Sequence, residues 1–150
     1  MNPHAPAASG LRLRACPANL RTIRAHVRAA ALGLGCAEDE VAAIVLAVNE
    51  ACMNVIQHAY AGRDDGEIVL HIGNNHGGIE VLLEDFAPPV DVSRICPRAL
   101  EDLRPGGLGT YFIRTLMDDC CYGHAEGGRG NWLRMVKRLR GQAQPGGDPR

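Results

Sequence analysis

The chain of 150 residues is 46% hydrophobic and 22% charged, with a formal net charge of −1, which predicts one globular domain with a substantial core. The small net charge and the 4% aromatic content argue against direct binding to nucleic acid. Neither a signal peptide nor a run of about 18 apolar residues is recognised, so we expect no membrane span. The six cysteines form no C-x-x-C pair and are interpreted as reduced thiols of a cytoplasmic protein.

A strand and a helix are predicted after a flexible N-terminus of residues 1–9. Apolar residues and arginine alternate from Leu11 to Cys16, as in a short strand. Pro17 is suited to open a helix, and apolar residues recur at helical spacing until Gly33 and Gly35. This part of the chain is basic and contains five arginines: Arg12, Arg14, Arg21, Arg24 and Arg28.

The segment from Val41 to Tyr60 predicts one helix, on which Glu50 is the single formal charge. In projection, Glu50, Asn54 and His58 follow one another at four-residue spacing and form a polar stripe. Apolar residues form the opposite side: Val45, Val48, Cys52, Val55, Ile56 and Ala59. Two interpretations stay open, because the stripe is either a site for a cation or polar ligand or the polar outer face of a core helix.

A β-hairpin is predicted from two alternating segments, Glu67 to Ile72 and Ile79 to Asp85, which flank a turn rich in Asn and Gly at 74–78. The period of two places Asp85 on the apolar side of its strand, at the end. A carboxylate there is costly to bury without a partner, which is either internal or a ligand. The proline-rich residues 86–92 cannot continue the strand.

The rest of the chain contains a glycine-rich sequence, residues 105–110, followed by YFIRTLMDD at helical spacing. Backbone amides at such a helix start favour an anion, although the motif alone is weak and also fits a flexible turn. Cys120 to Tyr122 and Asn131 to Leu139 predict two further strands. Residues 141–150 have the composition of a disordered tail.

Three of these elements, in this order, resemble the N, G1 and G2 boxes of the GHKL ATPase superfamily, which has the histidine-kinase-like Bergerat fold. The N box is Glu50-x-x-x-Asn54 continuing as NVIQHAY, the G1 box is DFAPPVDV from Asp85, and the G2 box is GGLGTYFIRTLMDD from Gly106. The chain most resembles the anti-sigma-factor serine/threonine kinases, over a domain of residues 10–140. The resemblance implies an α/β fold of the α+β sandwich type, in which helices pack on one face of an antiparallel mixed sheet.

The resemblance also implies a site for ATP and Mg²⁺. Glu50 would be the catalytic base toward the attacking hydroxyl, Asn54 would bind Mg²⁺ at the ATP phosphates, and Asp85 would accept a hydrogen bond from the adenine amino group. The other residues implied in nucleotide binding are Ala87, Arg104, Gly106, Gly107, Leu108, Gly109, Thr110 and Asn131. Residues 91–105 would form a lid. Ala87 stands where the family has glycine, and its methyl group is expected to weaken nucleotide binding.

By resemblance, the function is that of an ATP-dependent serine/threonine protein kinase and anti-sigma factor, which phosphorylates an anti-sigma-factor antagonist and sequesters a sigma factor. A cytoplasmic homodimer without nucleic-acid or membrane contacts is expected. We expect the basic N-terminal part and the helix after it to form the partner and dimer surface. Because of Ala87, an ATP-binding regulatory interaction module without phosphotransfer activity stays an alternative. An isolated histidine-kinase catalytic domain is a third possibility, although the segment before residue 37 is too short for a phosphoacceptor hairpin.

Overall fold

The computed structural model describes residues 9–88 and 107–140. These ranges form five strands and three α-helices: β1 (Ser9–Arg14), α1 (Leu20–Gly33), α2 (Glu38–Asn54), β2 (Glu67–Asn75), β3 (Gly78–Asp85), α3 (Gly107–Leu116), β4 (Asp119–His124) and β5 (Asn131–Arg138). A 3₁₀ turn at Pro17–Asn19 precedes α1, and a π-helical turn at Val55–Ala59 follows α2. The predicted flexible N-terminus, apart from Ser9, and the predicted tail at 141–150 lie outside the described residues.

The strands form one sheet in the order β1-β2-β3-β5-β4, and every pairing within the described ranges is antiparallel. The register aligns one residue of each strand in a row across the sheet: Leu11, Leu70, Leu83, Leu133 and Tyr122. This face of the sheet and the three helices share one hydrophobic core, in which α1 packs against β2 and α2 against β3. The predicted sandwich with helices on one face is therefore confirmed.

The central helix α2 begins at Glu38 rather than at the predicted Val41. The buried Glu40 carboxylate accepts a hydrogen bond from the Ala37 backbone N–H at 2.9 Å and another from the Arg140 backbone N–H at 3.1 Å. Glu40 therefore caps the first turn and ties it to the chain after β5. Acidic residues in this first turn also interact favourably with the helix dipole.

The α-helix ends at Asn54 rather than continuing to Tyr60, so the prediction of one uninterrupted helix is wrong. In the π-turn that follows, the Tyr60 N–H donates to the Val55 carbonyl, five residues earlier, at 3.0 Å. The wider turn moves the residues after Asn54 away from the 3.6-residue spacing. Gly62, with a left-handed φ of 78°, follows two residues after Tyr60, as is common after a helix end.

The buried side of α2 is broader than the projection predicts. Val48, Cys52 and Ile56 are buried as expected, whereas Val45 and Val55 are only partly buried. Because α2 packs against α1, α3 and the sheet, it also buries residues that the projection left out: Val41, Ile44, Ala47 and Ala51. The helix with its π-turn is long and apolar enough to cross a membrane, but these contacts make it the core helix of the domain.

The predicted hairpin is confirmed, but its strands are longer than expected. β2 extends to Asn75 and β3 begins at Gly78, which leaves His76 and Gly77 as a two-residue turn. Their φ angles are 39° and 88°, as in a type I′ turn. Asn74 and Asn75 pair within the ladder, so the longer turn that their composition predicts is wrong.

The contact between Tyr60 and Gly66 provides a test of this packing. The Tyr60 side chain is 4% exposed, its hydroxyl is held by Glu67 and Phe86, and a Cβ at Gly66 would overlap its ring. We expect Gly66→Ala to lower the free energy of unfolding by about 1–3 kcal/mol in urea denaturation. The control is Gly33→Ala at the end of α1, where nothing lies within 4 Å of the added Cβ and a gain of about 0.5–1 kcal/mol is expected. Equal effects of the two substitutions would contradict this packing.

Candidate functional site

Glu50 and Asn54 lie on the last two turns of the regular part of α2. Because they are four residues apart in an unbroken α-helix, their side chains project from one face, as predicted. Both are half-buried, and Leu46, one turn before Glu50, is 44% exposed. The stripe does not continue to His58 at the predicted spacing, because His58 is an exposed residue of the π-turn.

The polar stripe of α2 contains the side-chain oxygen atoms of Glu50 and Asn54. Within residues 9–88 and 107–140, neither side chain has a hydrogen-bond partner. The same ranges contain no group of three or more His, Cys, Asp and Glu side chains suited to a metal ion. A single amide oxygen fits Mg²⁺, which keeps several water ligands and binds substrate phosphates rather than an all-protein cage.

Asp85 ends β3 and is buried, with 6% of its surface exposed. The register places it in a row on the helix-facing side of the sheet, between Ile68 on β2 and Asn131 on β5. Its Oδ1 atom accepts hydrogen bonds from the Ala87 backbone N–H at 3.0 Å and from Asn131 Nδ2 at 2.9 Å. Burial raises the pKa of Asp85, and the hydrogen bonds from Asn131 and Ala87 only partly offset that effect.

Asn131 joins Asp85 to the turn that follows it. Its Nδ2 atom also donates to the Pro88 carbonyl at 3.2 Å, and its Oδ1 atom lies 3.0 Å from Nδ1 of His124 on β4. Carboxylate and carbonyl oxygens are acceptors, so the amide nitrogen of Asn131 must face Asp85 and Pro88. His124 therefore donates to Asn131 through Nδ1.

Ala87 is 1% exposed and belongs to the core. Besides donating to Asp85, it accepts a hydrogen bond at its carbonyl from the Gly130 N–H at 3.0 Å. Among the described residues, the non-glycine residues with a left-handed φ are Ala61 and His76. Ala87 does not have a left-handed φ, so its backbone conformation does not require glycine. The expected effect of its methyl group on nucleotide binding stays a prediction.

Residues 107–110 form the first turn of α3, so the helix begins earlier than the predicted helical spacing from Tyr111. The first four N–H groups of a helix have no acceptor within the helix. All four of these predicted phosphate-binding residues therefore present backbone donors at the end of α3 that favours an anion. Arg104, Gly106 and the lid predicted at 91–105 lie outside the described residues.

Two contacts of this region are not predicted from the sequence. The Tyr60 hydroxyl, directly after the π-turn, accepts hydrogen bonds from the Phe86 N–H at 2.9 Å and the Glu67 N–H at 3.2 Å, and donates to the Glu67 carbonyl at 2.7 Å. His124 reaches Asn131 through the pairing of β4 with β5. The sequence shows only that Tyr60 lies near a helix end and that His124 lies near a strand end. Neither position identifies the hydrogen-bond partner of the residue.

Comparison with known proteins gives the family. The model of the histidine kinase-like ATPase domain matches residues 13–137. The chain is 35% identical to serine-protein kinase RsbW of Bacillus cereus (strain AH820) over 113 residues, which is 70% of each protein. It is 34% identical to serine-protein kinase RsbW of Bacillus thuringiensis (strain Al Hakam), again over 113 residues and 70% of each.

Two solved structures share the fold. The RsbU and RsbW domains of Rv1364c from Mycobacterium tuberculosis give a TM-score of 0.56 at 20% identity, over 88% of this chain and 33% of that one. A blue-light activated histidine kinase, Erythrobacter litoralis EL346, gives a TM-score of 0.50 at 23% identity, over 69% of this chain and 32% of that one. This chain thus spans about a third of each of those longer proteins.

The antiparallel sheet, the core helix with its polar stripe and the helix opened by glycines define an ATP-binding domain of the histidine-kinase type. The chain belongs to the histidine kinase-like ATPase family, and within it to the serine-protein kinases. Its use of ATP follows from that membership. The roles of the individual site residues stay predictions.

The buried Asp85 carboxylate generates a prediction about the pH dependence of stability. Asparagine can accept the hydrogen bonds from Ala87 and Asn131 without a buried charge, so we expect Asp85→Asn to be at least as stable as the wild type at pH 7. The folded-state pKa of Asp85 lies above 3.8, so ionisation of Asp85 removes stability as the pH rises from about 4 through that folded pKa. The advantage of the variant should grow over this window and stay constant above it.

Urea denaturation of both proteins between pH 4 and pH 8 measures this difference. Asp64→Asn is the control, because Asp64 is exposed and its substitution should change the free energy of unfolding by less than about 0.5 kcal/mol at every pH. A loss of stability in Asp85→Asn at pH 7 would show that the ionised carboxylate is not penalised by its burial.

Proposed function

We propose that residues 10–140 form an ATP-dependent serine/threonine kinase and anti-sigma factor, which phosphorylates an anti-sigma-factor antagonist and sequesters a sigma factor. One observation carries this proposal. Glu50 and Asn54, which have no side-chain partner within the described residues, share a face of the helix that packs against β3, the strand that ends at the buried Asp85. The relatives named serine-protein kinase support transfer to a serine hydroxyl.

Nucleotide binding would use two parts of the site, Asp85 at the end of β3 and the first turn of α3. Asp85 would select adenine, because its carboxylate accepts a hydrogen bond from the exocyclic amino group, whereas guanine has an acceptor oxygen at that position. Ala87 and Asn131 would keep the carboxylate in the required orientation. The N–H groups of residues 107–110 would donate to the phosphates, with Arg104 as a further phosphate contact.

Phosphotransfer would use the polar stripe of α2. Glu50 would orient the attacking hydroxyl and accept its proton. Asn54 would hold Mg²⁺ through its side-chain oxygen, and the bound cation would neutralise charge on the phosphates. Because Glu50 and Asn54 lie on consecutive turns of one helix, the base and the metal ligand keep a fixed spacing.

The partner surface is proposed on α1. Arg21, Arg24 and Arg28 are exposed and recur along one side of this helix. Arg24 donates to the Asn49 side chain at 3.0 Å, next to Glu50 in the chain, so this basic side borders the catalytic stripe. We assign to it the contacts with the sigma factor, the antagonist and the second copy of a cytoplasmic homodimer, and we assign no contacts with nucleic acid or membrane.

A second candidate is an ATP-binding regulatory interaction module without phosphotransfer. The observation that favours it is Ala87, which stands at the position of a family glycine. Such a module would keep the nucleotide and partner contacts but would not need Glu50 as a base. The two functions therefore differ in the effect of changing Glu50.

Incubation with γ-labelled ATP, Mg²⁺ and candidate antagonist proteins tests the kinase. We expect acid-stable label on a serine or threonine of one antagonist. Glu50→Gln should lower the rate by roughly 100- to 10,000-fold while ATP binding is retained, because only the proton acceptor is lost. Glu126→Gln, at an exposed position between β4 and β5, is the matched control and should transfer at the wild-type rate.

Other outcomes of this experiment separate the alternatives. ATP binding without label on any partner would favour the interaction module. Acid-labile label on a histidine would indicate a histidine-kinase catalytic domain. Absence of ATP binding would contradict each of these functions.

A further inference from the structure

We propose that Tyr60 is a positioning residue, whose hydroxyl fixes the spacing between the phosphate end and the adenine end of the nucleotide site. At the phosphate end the residues concerned are Glu50 and Asn54 on α2, which act beside residues 107–110, and at the adenine end the residue is Asp85 on β3. This inference rests on the proposed function for the identity of its ligand. Its physical basis is the set of hydrogen bonds that joins the end of the core helix to the turn after β3.

The Tyr60 hydroxyl connects three segments of the chain. Tyr60 directly follows the π-turn that begins after Asn54, and its hydroxyl accepts hydrogen bonds from the N–H groups of Phe86 and Glu67 while donating to the Glu67 carbonyl. A hydroxyl has one proton and two lone pairs, so these three bonds use its full capacity. Phe86 is the residue after Asp85, which places this contact beside the adenine end.

Packing prevents the Tyr60 ring from changing its position. The side chain is 4% exposed, and the ring lies against Gly66, where any Cβ would overlap it. The connection from Asn54 to Tyr60 is helical and hydrogen-bonded, since the Tyr60 N–H donates to the Val55 carbonyl. The hydroxyl therefore holds the turn after Asp85 at a fixed distance from the end of the helix.

ATP would contact both ends of the site, whereas adenosine and pyrophosphate would each contact one. The affinity of a ligand that binds at two points depends on their spacing as well as on each contact. Loss of the hydroxyl would leave Asn54 and Asp85 chemically intact but would loosen the spacing between them. ATP should therefore be weakened more than either fragment.

The experiment compares Tyr60→Phe with the wild type in the full chain. The dissociation constants of ATP–Mg²⁺, adenosine and Mg²⁺-pyrophosphate are measured for both proteins. We expect ATP affinity to fall about tenfold or more, and the fragment affinities to stay within about twofold of the wild type. The kcat for labelling of the antagonist should fall about a further tenfold, because the γ-phosphate loses its alignment with Glu50.

A control variant that lowers the stability of the fold away from Tyr60 distinguishes a positioning role of Tyr60 from a purely structural one. Ile79, fully buried at the other end of β3, is changed to valine as the control. Ile79→Val should lower the melting temperature without changing the ratio of ATP affinity to fragment affinity. Gly66→Ala keeps the Tyr60 hydroxyl but displaces the ring, and should lower that ratio in the same direction as Tyr60→Phe.

The possible results separate this inference from the proposed function. If Tyr60→Phe weakens ATP, adenosine and pyrophosphate equally, or leaves ATP affinity unchanged, Tyr60 does not set the spacing and the kinase proposal still stands. If the wild type itself binds no ATP, the proposed function fails, and the positioning role fails with it.

Discussion

A buried carboxylate at the end of β3 is the constraint on which the rest of this structure depends. Removing Asp85 from water is unfavourable unless hydrogen-bond donors replace the solvent. Among the described residues, Ala87 and Asn131 are its donors, and they reach it because the chain turns directly after Asp85 and because β5 begins beside it in the sheet. The position of the buried charge is therefore linked both to the proline-rich turn and to the strand order.

The turn after Asp85 is held from two sides by different layers of the fold. Asn131 reaches from the sheet to the Pro88 carbonyl, and Tyr60 reaches from the end of the core helix to the Phe86 N–H. Backbone groups that leave a strand lose their ladder partners and need others when they are shielded from water. These contacts supply partners, and they fix the turn around the buried Ala87 while Phe86 and Pro88 stay exposed.

Much of this arrangement follows from local periodicity and could be predicted from the sequence. Alternation places Asp85 on the core face, and helical spacing places Glu50 and Asn54 on one side, because both are properties of a regular backbone. The π-turn escapes such a prediction, since apolar spacing reports the average pitch of a helix and not a single wider turn. The contacts of Tyr60 and His124 depend on strand order and register, which the whole sheet decides.

The raised pKa of Asp85 would connect the folding of this domain with the proposed nucleotide site. A donor N–H on a bound molecule would stabilise the ionised carboxylate and so offset a cost of burial that Ala87 and Asn131 only partly offset. If Asp85 binds the adenine amino group as proposed, some stability of the free protein would be exchanged for affinity. Ala87 contributes to this through its backbone N–H, which glycine would provide equally. The alanine therefore keeps the backbone donor to Asp85 that glycine would also supply.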